Sequence, residues 1–234
     1  MAERISEGAP TLGRRLAAEA LGAALLLASV VGSGIMGERL SGGNSALALL
    51  ANSLATGAVL IALILTFWPV SGAHLNPAVT LAASWWGDLP WDEAPAYIAV
   101  QVVGAFIGVG VANLMFALPP FSPSQHARHG APQLLSEFVA TFGLVSVISG
   151  CARRPRVIPV AVGSYIAAAY WFTASTSFAN PAVTVARAAT DTFAGIRPID
   201  VPGFVSMQLL GGSVAAALWR WLAPAAGIDE RRTP

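Results

Sequence analysis

Residues 71–80 read SGAHLNPAVT, and the centre of this stretch returns as NPAVT at residues 180–184. At a background of about 5% per residue type, a given five-residue match has odds of roughly 3 in 10⁷ at any one position. The repeat therefore indicates an internal duplication. Asn is a favoured helix cap and Pro is tolerated as the first helical residue, so Asn76 and Asn180 each predict a helix that begins at the next residue.

The two predicted helices, at 77–86 and 181–189, are unusually short. Each is apolar for only about 10 residues, or roughly 15 Å at 1.5 Å per residue, which is half of a bilayer core. Half-spanning helices are tolerated at membrane depth only where they are buried in protein or line a polar cavity. If the two copies enter from opposite faces, their amino ends meet near the midplane beside two Asn amides.

The composition is that of a membrane protein. Of 234 residues, 55% are hydrophobic and only 11% are charged, whereas about 25% of an ordinary soluble domain is charged. A net charge of +1 without a run of basic residues gives no indication of a nucleic-acid partner. The single Cys151 cannot form an internal disulfide, and the mixed charge of residues 1–10 predicts no cleavable signal. No phosphate loop, metal-ligand cluster or nucleophile elbow is present, so we expect neither an enzyme nor a cofactor.

Six apolar stretches are about as long as a bilayer requires. They predict membrane spans at 14–36, 46–68, 94–118, 133–151, 157–174 and 201–222, between a polar leader (1–13) and a polar tail (223–234). Each half of the chain then has three spans and one half-helix, and an odd number of spans inverts the second copy. We therefore predict one all-α membrane domain over 1–234, made of two inverted repeats at about 14–118 and 133–222.

A paired Asn-Pro-Ala motif inside six apolar spans resembles the aquaporin, or major intrinsic protein, family over nearly the whole chain. The resemblance implies six transmembrane helices, two re-entrant half-helices, a passive pore in each subunit and a homotetramer. Asn76 and Asn180 would form the pore constriction. Their amides offer N–H donors to a passing solute, and the positive helix ends repel cations, protons included.

Three further residues have implied supporting roles. In the resembled family, acidic residues at the positions of Glu19 and Glu137 accept hydrogen bonds from the half-helix loops. The alternative is a pair of intramembrane carboxylates in a proton-coupled transporter, although no chain of buried carboxylates accompanies them. We expect His74 to anchor its loop, with a pH gate as the alternative. His126 and His129 are expected in a solvated linker rather than in a metal site.

The selectivity filter departs from the family pattern. The family places an Arg three residues after the second Asn, where this chain has Val183. Family spacing from the two Asn residues assigns the other filter positions to Thr56, Ala168 and Ser177. A ring of four small residues would be wider than the usual filter and would lack the charge and donors of Arg. We hypothesise that the pore admits glycerol and metalloid acids such as arsenite as well as water.

Arg187 lies one helical turn beyond Val183, on the same face. It either gives the outer vestibule a positive charge or reaches the interface or loop carbonyls. The Val183 and Arg187 pattern resembles the atypical bacterial aquaporins associated with arsenic resistance. The alternatives are a water-selective aquaporin, a coupled secondary transporter and a structural protein with a closed pore.

The arginines predict the orientation, since basic residues favour cytoplasmic loops. We predict an inner-membrane protein with both termini in the cytoplasm. In this orientation nine of the 13 arginines lie on the cytoplasmic side: Arg4, Arg14, Arg15, Arg153, Arg154, Arg156, Arg220, Arg231 and Arg232.

Overall fold

The structure is a computed structural model that describes residues 10–223, and within them the chain is all-helical, as predicted. The rest of the predicted leader and tail, with Arg4, Arg231 and Arg232, lies outside the described residues. The α-helices in this part of the chain are α1 (Leu12–Leu40), α2 (Ser45–Ser71), α3 (Pro77–Trp86), α4 (Ala94–Met115), α5 (Ala131–Cys151), α6 (Ile158–Phe172), α7 (Pro181–Arg187) and α8 (Val201–Leu222).

Five helices are long and apolar enough to cross a membrane: α1, α2, α4, α5, and α8 together with the 3-10 turn that precedes it. The fifth predicted span corresponds to α6, which has 15 residues, or about 22 Å at 1.5 Å per residue, and is shorter than the 157–174 expected. It begins after a 3-10 turn at Pro155–Val157. It ends at Phe172 because Thr173 adopts an extended backbone.

The two halves pack in the same pattern. In the first half α1 contacts α2 and α4, and in the second half α5 contacts α6 and α8. Across the halves, α3 packs on α8 and α7 packs on α4, while α2 meets α6 and α3 meets α7. Each of these contacts has a counterpart when the halves are exchanged, which is the pattern of a pseudo-two-fold repeat.

Glycine permits the closest of these helix contacts. A Cβ atom on Gly104 of α4 would overlap the carbonyl oxygen of Ala20 in α1, and one on Gly108 would overlap that of Ala24. Gly104 and Gly108 thus let the backbones of α1 and α4 approach closely. Gly211 of α8 meets the Phe138 carbonyl of α5 in the equivalent way.

Candidate functional site

The two half-helices meet at their amino ends in the middle of the protein. The Asn76 side chain accepts a hydrogen bond from the Ala78 N–H at 2.9 Å and caps α3. The Asn180 side chain accepts from the N–H groups of Ala182 and Val183, at 3.0 and 3.3 Å, and caps α7. Both positive helix ends therefore face the same point.

Each Asn amide also holds the opposite half of the chain. The Asn76 Nδ2 donates to the Ala179 carbonyl at 2.8 Å, and the Asn180 Nδ2 donates to the Leu75 carbonyl at 2.8 Å. An amide nitrogen carries two N–H donors, so one donor of each Asn remains for a molecule in the cavity. Both side chains are 5% exposed and line that cavity.

The residues before each Asn have a strained backbone. Leu75 and Ala179 have φ values of 51° and 50°, in the left-handed region that costs a non-glycine residue about 1–2 kcal/mol. Ala73 and Ser177, two residues earlier, share this conformation. Left-handed backbone at these positions needs support from the surrounding protein.

Glu19 supplies that support in the first half. Its buried carboxylate accepts from the N–H groups of His74 and Leu75, at 2.9 and 2.7 Å. It also accepts from the Ser71 hydroxyl at 2.6 Å and from the Gln101 amide at 2.7 Å. One carboxylate thus fixes the loop whose Leu75 carbonyl receives Asn180.

Glu137 occupies the equivalent place in the second half. It accepts from the N–H groups of Phe178 and Ala179, both at 2.9 Å, and from the Gln208 amide at 2.5 Å. The Ala179 carbonyl in turn receives Asn76. Each carboxylate therefore holds the residue that binds the Asn of the other half.

His74 contacts its own loop and helix. Its backbone N–H binds Glu19, its Nδ1 shares a hydrogen bond of 3.2 Å with the Thr80 hydroxyl, and its ring lies 5.4 Å from that of Tyr97. The ring also lines the cavity. Within residues 10–223 no group of three or more His, Cys, Asp or Glu residues could hold a metal ion.

A cavity of about 1280 Å³ runs past both Asn residues. One end is lined by Arg153, Trp219 and Arg220, and the other by Ser177, Val183 and Arg187. Between them the walls are mainly apolar, with residues four apart on α2 (Thr56, Leu60, Ile64 and Trp68) and on α6 (Ile158, Val162, Ile166 and Tyr170). This spacing is one face of each helix.

Three of the four expected filter residues lie in the cavity wall, and the expectation for the fourth, Ala168, is wrong. Thr56, Ser177 and Val183 line the cavity, whereas Ala168 is exposed and is absent from its lining. Residues two apart on a helix point about 200° apart. The cavity side of α6 therefore holds Tyr170, whose hydroxyl shares a hydrogen bond of 3.1 Å with that of Thr56.

Arg187 is buried at the same end of the cavity, with 2% of its surface exposed. Its Nε donates to the Ala194 carbonyl, and its guanidinium lies 3.4 Å from the centre of the Phe178 ring. Arg187 thus both binds a loop carbonyl and lines the cavity. The two sequence-based interpretations of this residue are compatible.

Arg128, in the linker between α4 and α5, also belongs to this region. It is 7% exposed, lies 5.0 Å from the Phe178 ring and donates to the Gly195 carbonyl at 2.8 Å and the Ser175 carbonyl at 3.3 Å. Burial lowers the pKa of its guanidinium to about 10, so it stays charged at neutral pH. No local pattern indicates this role, because Arg128 and Gly195 are 67 positions apart in the sequence.

Comparison with known proteins gives consistent matches. The family model "Major intrinsic protein" matches residues 8–177. The chain is 53% identical over 225 residues to aquaglyceroporin AqpS of Rhizobium meliloti (strain 1021), covering 95% of this chain and 96% of that protein. It is 41% identical over 88 residues to the glycerol uptake facilitator protein of Bacillus subtilis (strain 168), 32% of each chain. The X-ray structure of the aquaglyceroporin from Plasmodium falciparum aligns with a TM-score of 0.69, covering 91% of this chain and 95% of that chain at 17% identity, and so shares its fold.

Proposed function

The chain belongs to the major intrinsic protein family, whose members are membrane channels and not enzymes, and from that premise we propose that its pore passes glycerol and uncharged trihydroxy acids such as arsenite, as well as water. It is a multi-pass membrane protein and a channel for small neutral solutes. No cofactor is needed, because solutes move down their own gradients. The proposal concerns which solutes pass.

One observation carries the proposal, namely the identity and place of Val183. Its side chain lines the cavity one turn from the Asn180 cap, where the resembled family has an Arg. Val is shorter than Arg, carries no charge and donates no hydrogen bonds. Together with Thr56 and Ser177, it supports a filter wide enough for molecules larger than water.

Stopped-flow light scattering on proteoliposomes tests this directly. We expect wild-type vesicles to pass water, glycerol and arsenite faster than protein-free vesicles. Across the series Val183→Ala, wild type and Val183→Arg, the permeability to glycerol and arsenite should fall as the side chain lengthens, while the Arg variant keeps its water permeability. Wild-type vesicles that pass water but exclude glycerol and arsenite would overturn the proposal.

The support for glycerol and for arsenite differs in kind. Glycerol is favoured because two relatives carry the names aquaglyceroporin and glycerol uptake facilitator. The proposal that arsenite passes depends on the Val183 and Arg187 pattern and on the chemical similarity of arsenite to glycerol. Both solutes are small, uncharged and carry three hydroxyl groups. Glycerol flux without arsenite flux would remove only the second part.

A water-selective pore is the main alternative, and two residues favour it. Tyr170 and Arg187 line the same cavity as Val183 and add large side chains to a filter that the sequence predicted to be open. A coupled transporter has less support. Glu19 and Glu137 each use both carboxylate oxygens as hydrogen-bond acceptors inside the fold, so neither is free to carry a proton across the membrane.

Arg187 gives the outer end of the pore its positive charge in this proposal. The guanidinium is held by Phe178 and the Ala194 carbonyl and repels cations that approach the filter. The proposal places both termini in the cytoplasm and the protein in the inner membrane, as the arginine distribution favours. It also includes a homotetramer with one pore per subunit, which native mass spectrometry in detergent would test.

A further inference from the structure

Resting on the proposed function, we infer that Tyr170 is the α6 residue that determines solute selectivity, as part of a polar wall formed with Thr56, Ser177 and Arg187. This wall differs from the filter that family spacing assigns, because Ala168 is outside the cavity. It also predicts a specific preference, for solutes that carry a hydroxyl group on each carbon.

Tyr170 is fixed in the cavity wall by its helix. It continues the face of Ile158, Val162 and Ile166, and it is 3% exposed. It is the one member of that face with a polar group. The hydrogen bond of its hydroxyl to Thr56 joins α6 to α2 at the filter end of the cavity. The two hydroxyls form one side of the polar wall.

Ser177 contributes a hydroxyl with no partner. Its side chain is 2% exposed and lines the cavity, and among the described residues no atom accepts or donates a hydrogen bond to its Oγ. A buried hydroxyl without a partner costs about 1–3 kcal/mol. A solute hydroxyl in the cavity would supply the missing hydrogen bond.

Arg187 completes the wall with donors. Of its nitrogens, only Nε has a hydrogen-bond partner within residues 10–223, so the terminal amino groups are available to a solute in the cavity that Arg187 lines. Val183 and Phe178 provide the apolar surface of the same region. The region thus offers hydroxyl groups, guanidinium donors and apolar surface within one stretch of the cavity, which suits glycerol, a molecule with a polar and an apolar edge.

The hydroxyl pair of Tyr170 and Thr56 distinguishes solutes by their hydrogen bonds. Glycerol leaves water, where all three of its hydroxyls are hydrogen-bonded, and it needs replacement partners in the filter. 1,3-Propanediol is similar in shape but lacks the central hydroxyl and needs fewer partners. We expect the wild-type pore to favour glycerol over 1,3-propanediol more than its Tyr170→Phe variant does.

The test compares Tyr170→Phe with Tyr165→Phe in proteoliposomes. Tyr165 lies on the same helix outside the cavity, and its hydroxyl donates to the Ala140 carbonyl at 3.1 Å, so the control makes the same chemical change elsewhere. Loss of one hydrogen bond in the filter should lower the ratio of glycerol to 1,3-propanediol permeability about threefold to tenfold. Tyr165→Phe should keep the wild-type ratio, and Thr56→Val should lower it as Tyr170→Phe does.

Three results would contradict a selective role for the Tyr170 hydroxyl. If Tyr170 is only a steric wall, removing its oxygen widens the pore and both solutes pass at an equal or higher rate, with an unchanged ratio. An unchanged ratio in both Tyr170→Phe and Thr56→Val would overturn the inference, as would a block of glycerol by Ala168→Phe. Wild-type vesicles impermeable to glycerol would instead overturn the proposed function, so the two failures are distinguishable.

Discussion

Replacing Glu19 by Ala tests whether the carboxylates hold the pore loops. The carboxylate is the only partner of the His74 and Leu75 N–H groups within the described residues. Since Leu75 has a left-handed backbone and its carbonyl receives Asn180, losing Glu19 removes support on both sides of the pore centre.

The size of the effect follows from the hydrogen bonds. A buried donor left without an acceptor costs about 1–3 kcal/mol, so the two N–H groups alone predict a loss of about 2–6 kcal/mol. For a chain of this size, 1 kcal/mol corresponds to about 2–4 °C in Tm. We therefore expect Glu19→Ala to unfold at a temperature roughly 5–20 °C lower than wild type.

This shift is measured by heating the protein in detergent and monitoring the fraction that stays monodisperse. Glu38→Ala is the matched control, because Glu38 is exposed at the far end of the same helix, and an exposed substitution of this kind changes stability by about 0.5 kcal/mol or less. Glycerol permeability at a temperature where both variants are folded should also fall for Glu19→Ala. A Tm equal to that of the control would refute the reasoning.

Three other substitutions test separate parts of the structure. Gly104→Ala forces a methyl group against the Ala20 carbonyl and should cost about 1–3 kcal/mol, whereas Gly13→Ala, with no atom within 4 Å of the added carbon, should not lower the Tm in the same assay. Arg128→Met removes the hydrogen bonds to the loop after α7 and should raise the rate of amide hydrogen exchange in that loop. An unchanged rate would show that Arg128 does not stabilise the loop. Arg187→Ala should alter glycerol permeability, and an unaltered value would restrict Arg187 to binding the loop.

The sequence predicts the helices best where local chemistry decides them. The Asn caps and the prolines after them give the starts of α3 and α7 correctly, and α8 has the predicted bounds of 201–222. Span 2 was expected to end at Trp68, but α2 continues through Pro69 to Ser71, where the left-handed Gly72 ends it. The correctly predicted starts depend on neighbouring residues, which the sequence shows directly, whereas the end of α2 was predicted three residues too early.

The filter depends on geometry that the sequence does not show. Counting back from Asn180 assumes that α6 and the following loop have the family length, and this assumption gives Ala168. The apolar residues four apart, from Ile158 to Ile166, would have pointed to Tyr170, because they mark the side of α6 that faces the cavity. The spacing of apolar residues along α6 therefore identifies its cavity-facing residue better than the distance in sequence from Asn180 does.

Long-range support is the least predictable part. The residues that receive the Asn amides, Leu75 and Ala179, have no distinctive side-chain pattern, since they act through backbone carbonyls. Their left-handed backbone is unusual for Leu and Ala, and hydrogen bonds from their N–H groups to Glu19 and Glu137 stabilise it. Such an arrangement forms only when both halves of the chain are folded together.

The most direct test of a passive pore through the meeting point of α3 and α7 is the uptake of radiolabelled glycerol by wild-type proteoliposomes, with and without an imposed proton gradient. We expect glycerol to enter faster than in protein-free vesicles. Its internal concentration should rise to the external value and stop there, both with and without the proton gradient. No entry above the protein-free rate, or accumulation above the external concentration when the proton gradient is imposed, would contradict the account.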